Sequence, residues 1–208
     1  MGSILSDWIV AVFLGDSLTA GFQQGPGPMP PRYYPFVNML ESSLRVRLRE
    51  LGITRDIAVV NQGMDGDSTR GMLERFSRSV ETENPDIVLL WGGINDLSSR
   101  KTPEEVLPNI VELVERSKAV GATPVVLNVA PVAGSHFNET VLRLNNMTHE
   151  YCEETGVMYL DLFSELVDLE GKLADVYSND GVHLSDMGYK RILLPVFQCL
   201  LKIVNDLL

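Results

Sequence analysis

Short runs rich in Val, Ile and Leu recur along this chain, separated by segments with helical spacing. The runs are Trp8 to Leu14, Asp56 to Asn61, Asp86 to Trp91, Thr123 to Asn128 and Val157 to Asp161. Runs apolar along most of their length suit strands covered on both faces, because a half-exposed strand alternates apolar with polar. Between them, Val37, Leu40, Leu44, Leu48 and Leu51 fall on one helical stripe, and Val106, Ile110, Leu113, Val114 and Ser117 mostly on another. Ile192, Val196, Cys199, Leu200, Ile203 and Leu207 form a third near the C-terminus. Asn138 to Glu154 also reads as helical, and Thr102, Pro103 and Glu105 make a capping box that marks a helix start. The alternation predicts an α/β fold: a central parallel sheet with helices on both sides, a three-layer α/β/α sandwich.

At 208 residues, without internal repeat or linker, the expected organisation is one domain over residues 1–208. The odd segment is Gln23 to Pro35, with Gly25, Gly27 and a run of prolines. It reads as a stiff loop rimming whatever lies beyond the first strand. Seventeen Lys and Arg against 28 Asp and Glu give a formal charge of −11. That balance argues against a nucleic-acid partner, which needs a basic footprint, and against docking on anionic membranes. Cys152 and Cys199 lie far apart in helical segments and read as buried thiols rather than a disulfide. Trp8 to Leu14 is too short to span a bilayer, so stable membrane insertion is not expected. No basic stretch precedes it and no small-residue cleavage site follows, so the expected location is cytoplasmic, with secretion from a longer precursor left open. The sequons at Asn138 and Asn146 read as chance matches. Nothing in the pattern specifies an oligomeric state.

In an open α/β sheet, ligands bind beyond the carboxyl ends of the strands. The first strand leads into Gly15-Asp16-Ser17-Leu18-Thr19, the second into Asn61-Gln62-Gly63-Met64-Asp65-Gly66, and the third into Gly92-Gly93-Ile94-Asn95-Asp96. The fourth runs into Ala130-Pro131-Val132, and the stretch after the fifth holds Asp180-Gly181-Val182-His183. Polar and glycine-rich patches therefore gather on one edge of the sheet.

The set Gly-Asp-Ser-Leu, Asn-x-Gly-x-x-Gly, Gly-x-Asn-Asp and Asp-x-x-His, in that order from Gly15 to His183, resembles the blocks of the GDSL, or SGNH, hydrolases. The resemblance implies a flavodoxin-like sandwich and cleavage of carboxylic esters, among them lipids, thioesters and sugar acetates. Mapped by block, it implies Ser17 as nucleophile, Gly66 and Asn95 as oxyanion donors, and Asp180 with His183 as the rest of a triad.

The chemistry asks for the same residue types. A serine hydroxyl needs a neighbouring imidazole to accept its proton, and a carboxylate to hold that imidazole in the right tautomer. Asp180 and His183 sit three residues apart, so one tight turn at Gly181 can present both. The oxyanion of a tetrahedral intermediate needs donors, for which the N–H groups of Ser17 and Gly66 and the Asn95 amide qualify. Thr19 breaks the Gly-x-Ser-x-Gly elbow of the α/β-hydrolases, so that fold is not expected.

Plainer roles stand beside these. Taken alone, Ser17 reads first as a helix N-cap, Gly63 and Gly66 as plain turns, Asn95 as a cap and Asp16 as a structural hydrogen-bonder. Asp96 has a structural role nearby as its simplest reading. His149 falls in a helix, and His136 on the loop after the fourth strand has no carboxylate at the needed offset. Phe22, Met29, Tyr33 and Tyr34 fit an acyl pocket and packing against the helix after Pro35 equally well. Three histidines without ligand spacing and no phosphate loop lead to the expectation of neither metal nor cofactor. The resulting expectation is a serine esterase acting on a small-molecule ester. A carbohydrate O-deacetylase, an acyltransferase, a binding module without turnover and a nucleotide-binding flavodoxin-like protein are its rivals.

Overall fold

The computed structural model describes residues 8–25 and 28–207. Pro26 and Gly27 of the proline-rich loop, and the residues before Trp8 that bear on the leader reading, lie outside the described residues. The apolar runs form strands β1 (Trp8–Gly15), β2 (Asp56–Gly63), β3 (Ile87–Trp91), β4 (Thr123–Leu127) and β5 (Met158–Leu160). All pair in parallel, in the order β2-β1-β3-β4-β5, which is the flavodoxin-like order. The helices are α1 (Ser17–Ala20), α2 (Phe36–Glu50), α3 (Thr69–Glu74), α4 (Phe76–Ser79), α5 (Ile94–Ser98), α6 (Pro103–Ala119), α7 (Ser135–Thr155), α8 (Phe163–Leu166) and α9 (Asp186–Asp206).

Successive side chains of a strand point to opposite faces, and that parity sorts the core into two layers. Ile9, Ala11 and Phe13 of β1 pack with Leu40, Leu44 and Leu48 of α2 and Ile192, Val196 and Leu200 of α9. Val12 and Leu14 pack on the other face with Met72, Phe76, Val106, Leu113 and Leu144, from α3, α4, α6 and α7. Cover on both faces is why the strands read as nearly unbroken apolar runs. The capping box forms, with the Glu105 carboxylate accepting from the Thr102 N–H at 2.8 Å. Among the described residues no helix is long and apolar enough to cross a membrane.

The boundaries depart from the sequence reading where pairing, rather than hydropathy, decides them. β2 continues past Asn61 because Gln62 and Gly63 pair with Leu14 and Gly15. β5 is shorter than its apolar run, since it pairs only with β4 at the sheet edge. Leu51 and Leu207, assigned to helical stripes, are exposed C-cap residues past the helix ends. The stiff loop includes a short antiparallel ribbon, Phe22–Gln23 with Arg32–Tyr33.

The register brings Gly15, Gly63 and Trp91 level at the carboxyl edge. Gly63 is not a plain turn. A Cβ there would lie 2.1 Å from the Ala20 nitrogen, so α1 rests on bare backbone of β2. Gly63→Ala is therefore expected to destabilise the fold by about 1–3 kcal/mol or more through overpacking. Urea denaturation checks this against Gly134→Ala, whose added Cβ meets nothing closer than 3.8 Å and should change the midpoint far less.

Candidate active site

Asp16 follows β1 in extended conformation and caps α1, its carboxylate accepting from the Leu18 N–H at 2.9 Å. Ser17 is thereby placed at the first position of the helix, where a backbone N–H has no partner within the helix. The N-cap is Asp16 and not Ser17, so the Ser17 hydroxyl is released from capping. It lies 3.1 Å from His183 Nε2.

The His183 ring is held from behind by Asp180, Nδ1 to Oδ2 at 2.7 Å. The other carboxylate oxygen, Oδ1, accepts from the Val182 and His183 N–H groups at 2.9 and 2.8 Å. One oxygen of Asp180 thus builds the turn and the other orients the ring that the turn presents. Ser178 closes the same turn, its hydroxyl accepting from the Gly181 N–H at 2.9 Å and donating to the His183 carbonyl at 2.7 Å. Gly181 has φ +81°, a left-handed value that favours glycine. Burial pushes the Asp180 carboxyl up, but the bonds from the His183 ring and the two amides outweigh it and hold it below its ordinary value. Phe22 packs against the His183 ring at 4.5 Å between centroids.

The loop after β2 is tied to this centre by the Met64 N–H, which donates to the Gly15 carbonyl at 3.0 Å. Met64 to Asp67 then forms a turn closed by the Asp67 N–H on the Met64 carbonyl, with Gly66 third at φ +73°. That value is the one a type II turn needs at its third residue. Asn95 is not a cap. It lies inside α5, whose N-cap is Gly93, and its Nδ2 donates to the Asp67 carbonyl at 2.9 Å. An amide nitrogen carries two hydrogens, so one remains for a ligand.

Ser17 and Asp180 therefore meet through the His183 ring, while the Gly66 loop is tied to the end of β1 by Met64 on Gly15 and to Asn95 by the Asp67 carbonyl. His136 and His149 are engaged elsewhere, with Glu139 and with Glu153 and Tyr159. The aromatic loop residues divide. Tyr34 stacks on Tyr189 of α9, whereas Tyr33 is exposed, bonds Asp65 and meets Phe22 edge-on. An open groove of about 580 Å³ beside α1 is lined by Ala20, Tyr33, Asn61, Gly63, Met64 and Asp65. A second cleft, of about 430 Å³, lies between α7 and β5. Its Asn128 and Asp161 side chains are committed to the amides that open α8.

Arg75 and Lys101 do not figure in the sequence reading, which gives Asp96 a structural role that the structure specifies. Arg75 and Asp67 form a buried ion pair, and Asp96 is fully buried, accepting from the Thr69 N–H and Lys101 Nζ, each at 2.7 Å. A signal for Arg75 was present: Met72, Arg75, Phe76 and Ser79 share one helical face, which puts the arginine among core residues.

A model of the GDSL-like lipase/acylhydrolase family matches residues 13–191 of the chain. The chain is 30% identical over 128 residues to an arylesterase of Vibrio mimicus, a match covering 61% of this chain and spanning 58% of that protein. It is 29% identical to a mouse isoamyl acetate-hydrolyzing esterase 1 homolog, over 96% of this chain and 84% of the relative. In structure it resembles an acetylxylan esterase from Geobacillus stearothermophilus, with TM-score 0.74, 19% identity and coverage of 91% and 93% of the two chains.

Burial pushes the Asp16 carboxyl up from 3.8 to about 7, with the Asp67 and Asp96 charges adding to it and the Leu18 amide opposing. Between those values the unfolded chain has released a proton that the folded chain keeps, so this group lowers stability as pH rises through the window. Asp16→Asn keeps an oxygen to cap α1 and cannot ionise. Chemical denaturation at about pH 4 and about pH 8 should show wild type losing more stability across the interval than the variant.

Proposed function

The chain belongs to the GDSL-like lipase/acylhydrolase family, and from that premise we propose that it hydrolyses carboxylic esters with Ser17 as nucleophile. The observation that carries the reading is the continuous line from Ser17 Oγ through the His183 ring to Asp180, at 3.1 and 2.7 Å. His183 Nε2 takes the hydroxyl proton as Oγ bonds to the ester carbonyl carbon. The π electrons of the carbonyl move onto its oxygen, giving a tetrahedral intermediate. The N–H groups of Ser17 and Gly66 and the free hydrogen of the Asn95 amide serve as donors to that oxyanion. Collapse expels the alcohol, which takes the proton from His183, and leaves an acyl group on Ser17. Water then repeats the sequence, with His183 as base, and releases the acid.

The lowered Asp180 carboxyl supports this reading, because a group that stays ionised can stabilise the imidazolium formed in each half-reaction. The groove beside α1 opens to solvent next to the nucleophile's helix and offers room for one arm of the ester. The relatives' names, an arylesterase and an isoamyl acetate-hydrolyzing esterase homolog, make small esters the first class to assay.

A panel of p-nitrophenyl esters of increasing acyl length, run beside acetylated sugars and an acyl-CoA, identifies the preferred class. Ser17→Ala should lower turnover by about 10⁴-fold or more with little change in melting temperature. A fluorophosphonate probe should label wild type alone, and labelling that persists in Ser17→Ala would move the nucleophile elsewhere. Asp180→Asn should cost on the order of 10⁴-fold in kcat, since an amide cannot stabilise the charged imidazole. A loss below about tenfold would mean that another group orients His183.

A further inference from the structure

Arg75 is the most enclosed cation near the site, with a side chain 3% exposed, and all three of its guanidinium nitrogens are used. Nε donates to Asp67 Oδ2 at 2.7 Å, Nη2 to the Gly15 carbonyl at 2.9 Å and Nη1 to Ser79 Oγ at 3.2 Å. Two of these contacts reach the site, while Ser79 anchors the guanidinium to α4. Gly15 ends β1 two residues before Ser17, and its carbonyl also accepts from Met64. Asp67 follows Gly66, and its own carbonyl accepts from the Asn95 side chain. The Asp67 carboxylate lies over α3 only because position 71 has no side chain, since a Cβ there would come 2.0 Å from Asp67 Oδ1.

We infer that Arg75 is a positioning residue for the oxyanion donors, fixing the Gly66–Asp67 loop and, through the Asp67 carbonyl, the Asn95 amide against the end of β1. The inference rests on the assignment of Gly66 and Asn95 as donors to the oxyanion. A buried ion pair adds little net stability over apolar residues of similar volume, so geometry is what this pair supplies. The planar fork of arginine can hold a carboxylate and a carbonyl at fixed angles, which the single ammonium of lysine cannot do. Donors set for the oxyanion act mainly in the transition state, so their displacement lowers kcat and leaves KM nearly unchanged.

The test is a double-mutant cycle on purified full-length protein, with melting temperature, kcat and KM measured on each preparation. Arg75→Lys should lower kcat by about 10- to 100-fold with KM within about twofold, as expected of a small misplacement of catalytic groups. Asn95→Ala alone should cost about 10² to 10³ in kcat. The two together should fall well short of the product of the single losses, because the lysine acts partly by moving an amide that the alanine has already removed. If Arg75→Lys does not fold, the pair Asp67→Asn with Arg75→Gln leaves no charge buried alone and takes its place in the cycle. A lowered melting temperature with unchanged kcat, or losses that multiply in full beside an impaired Asn95→Ala, would overturn the role of Arg75 alone. A silent Asn95→Ala would instead overturn the oxyanion assignment, and the inference with it.

Discussion

Parallel pairing of β1 with β2 on one side and β3 on the other brings three backbone segments together at Gly15, and neither Gly15 nor Gly63 has room for a side chain. A Cβ on Gly15 would lie 2.2 Å from the Trp91 carbonyl oxygen, and one on Gly63 would meet the backbone of α1 at 2.1 Å. The sheet order reverses direction at β1, and the crevice of a doubly wound sheet opens at such a point. Ser17 reaches that crevice because the chain leaves β1 with no lateral freedom. The Gly15 carbonyl then accepts from Met64 and Arg75, so the loop after β2 and the helix α3–α4 segment are referenced to the same peptide. Bulk at this point would displace the helix carrying the proposed nucleophile relative to the loop carrying Gly66.

The charged groups gathered behind that peptide are costly to bury, and the structure accommodates them in different ways. Asp67 is matched by Arg75, and Asp96 by Lys101 and an amide. Asp16 accepts from the Leu18 amide and, among the described residues, pairs with no cation, and its carboxyl is pushed up to about 7 by burial. Asp67 and Asp96 each have a cation in contact to offset the cost of burial, whereas burial shifts the Asp16 carboxyl toward its neutral form. The paired members span separate segments, since Asp67 joins Arg75 of α3–α4 while Asp96 of α5 accepts from the first amide of α3. Polar bonds therefore do between these short helices what apolar packing does between the long ones.

The layers and the parallel sheet were legible because burial on both faces leaves a strong mark in sequence, and continuous apolar runs such as Ile87–Trp91 admit few alternatives; the strand order was carried only by the family resemblance. The meeting of Ser17, His183 and Asp180 was legible because two of them lie three residues apart and all fall in short blocks. Arg75 and Asp67 were less so: a buried arginine looks like a surface arginine unless its helical face is traced, and its partner lies across a loop. Strand ends also escaped, because Gln62 and Gly63 owe their extended form to hydrogen bonds with β1 rather than to their own preference. The ribbon Phe22–Gln23 with Arg32–Tyr33 was hidden by its prolines. It is held by contacts far away in sequence, with Gln23 bonding the Leu184 carbonyl and Arg32 pairing with Asp186.

Two aspartates lie near the proposed nucleophile, Asp16 next to it in sequence and Asp180 behind the His183 ring, and their surroundings decide which can serve the histidine. Asp180 sits on a turn at the rim, a quarter exposed, with the His183 ring and two amides directed at its oxygens. Those donors favour the charged form, so the carboxylate is present whenever the imidazole needs a counter-charge. Asp16 is sealed from water, and two more carboxylates nearby disfavour its charge further. A group whose charge is disfavoured in this way, and whose bond in the structure is to the Leu18 amide, is a poorer counter-charge for an imidazolium than Asp180. Its capping bond to Leu18 gives it a different task, which is to start α1 so that the Ser17 hydroxyl faces the ring. Placing the carboxylate with the lowered pKa on the turn at the rim and the one with the raised pKa at the buried N-cap of α1 sets the two apart, so that one site uses the same residue type for two tasks.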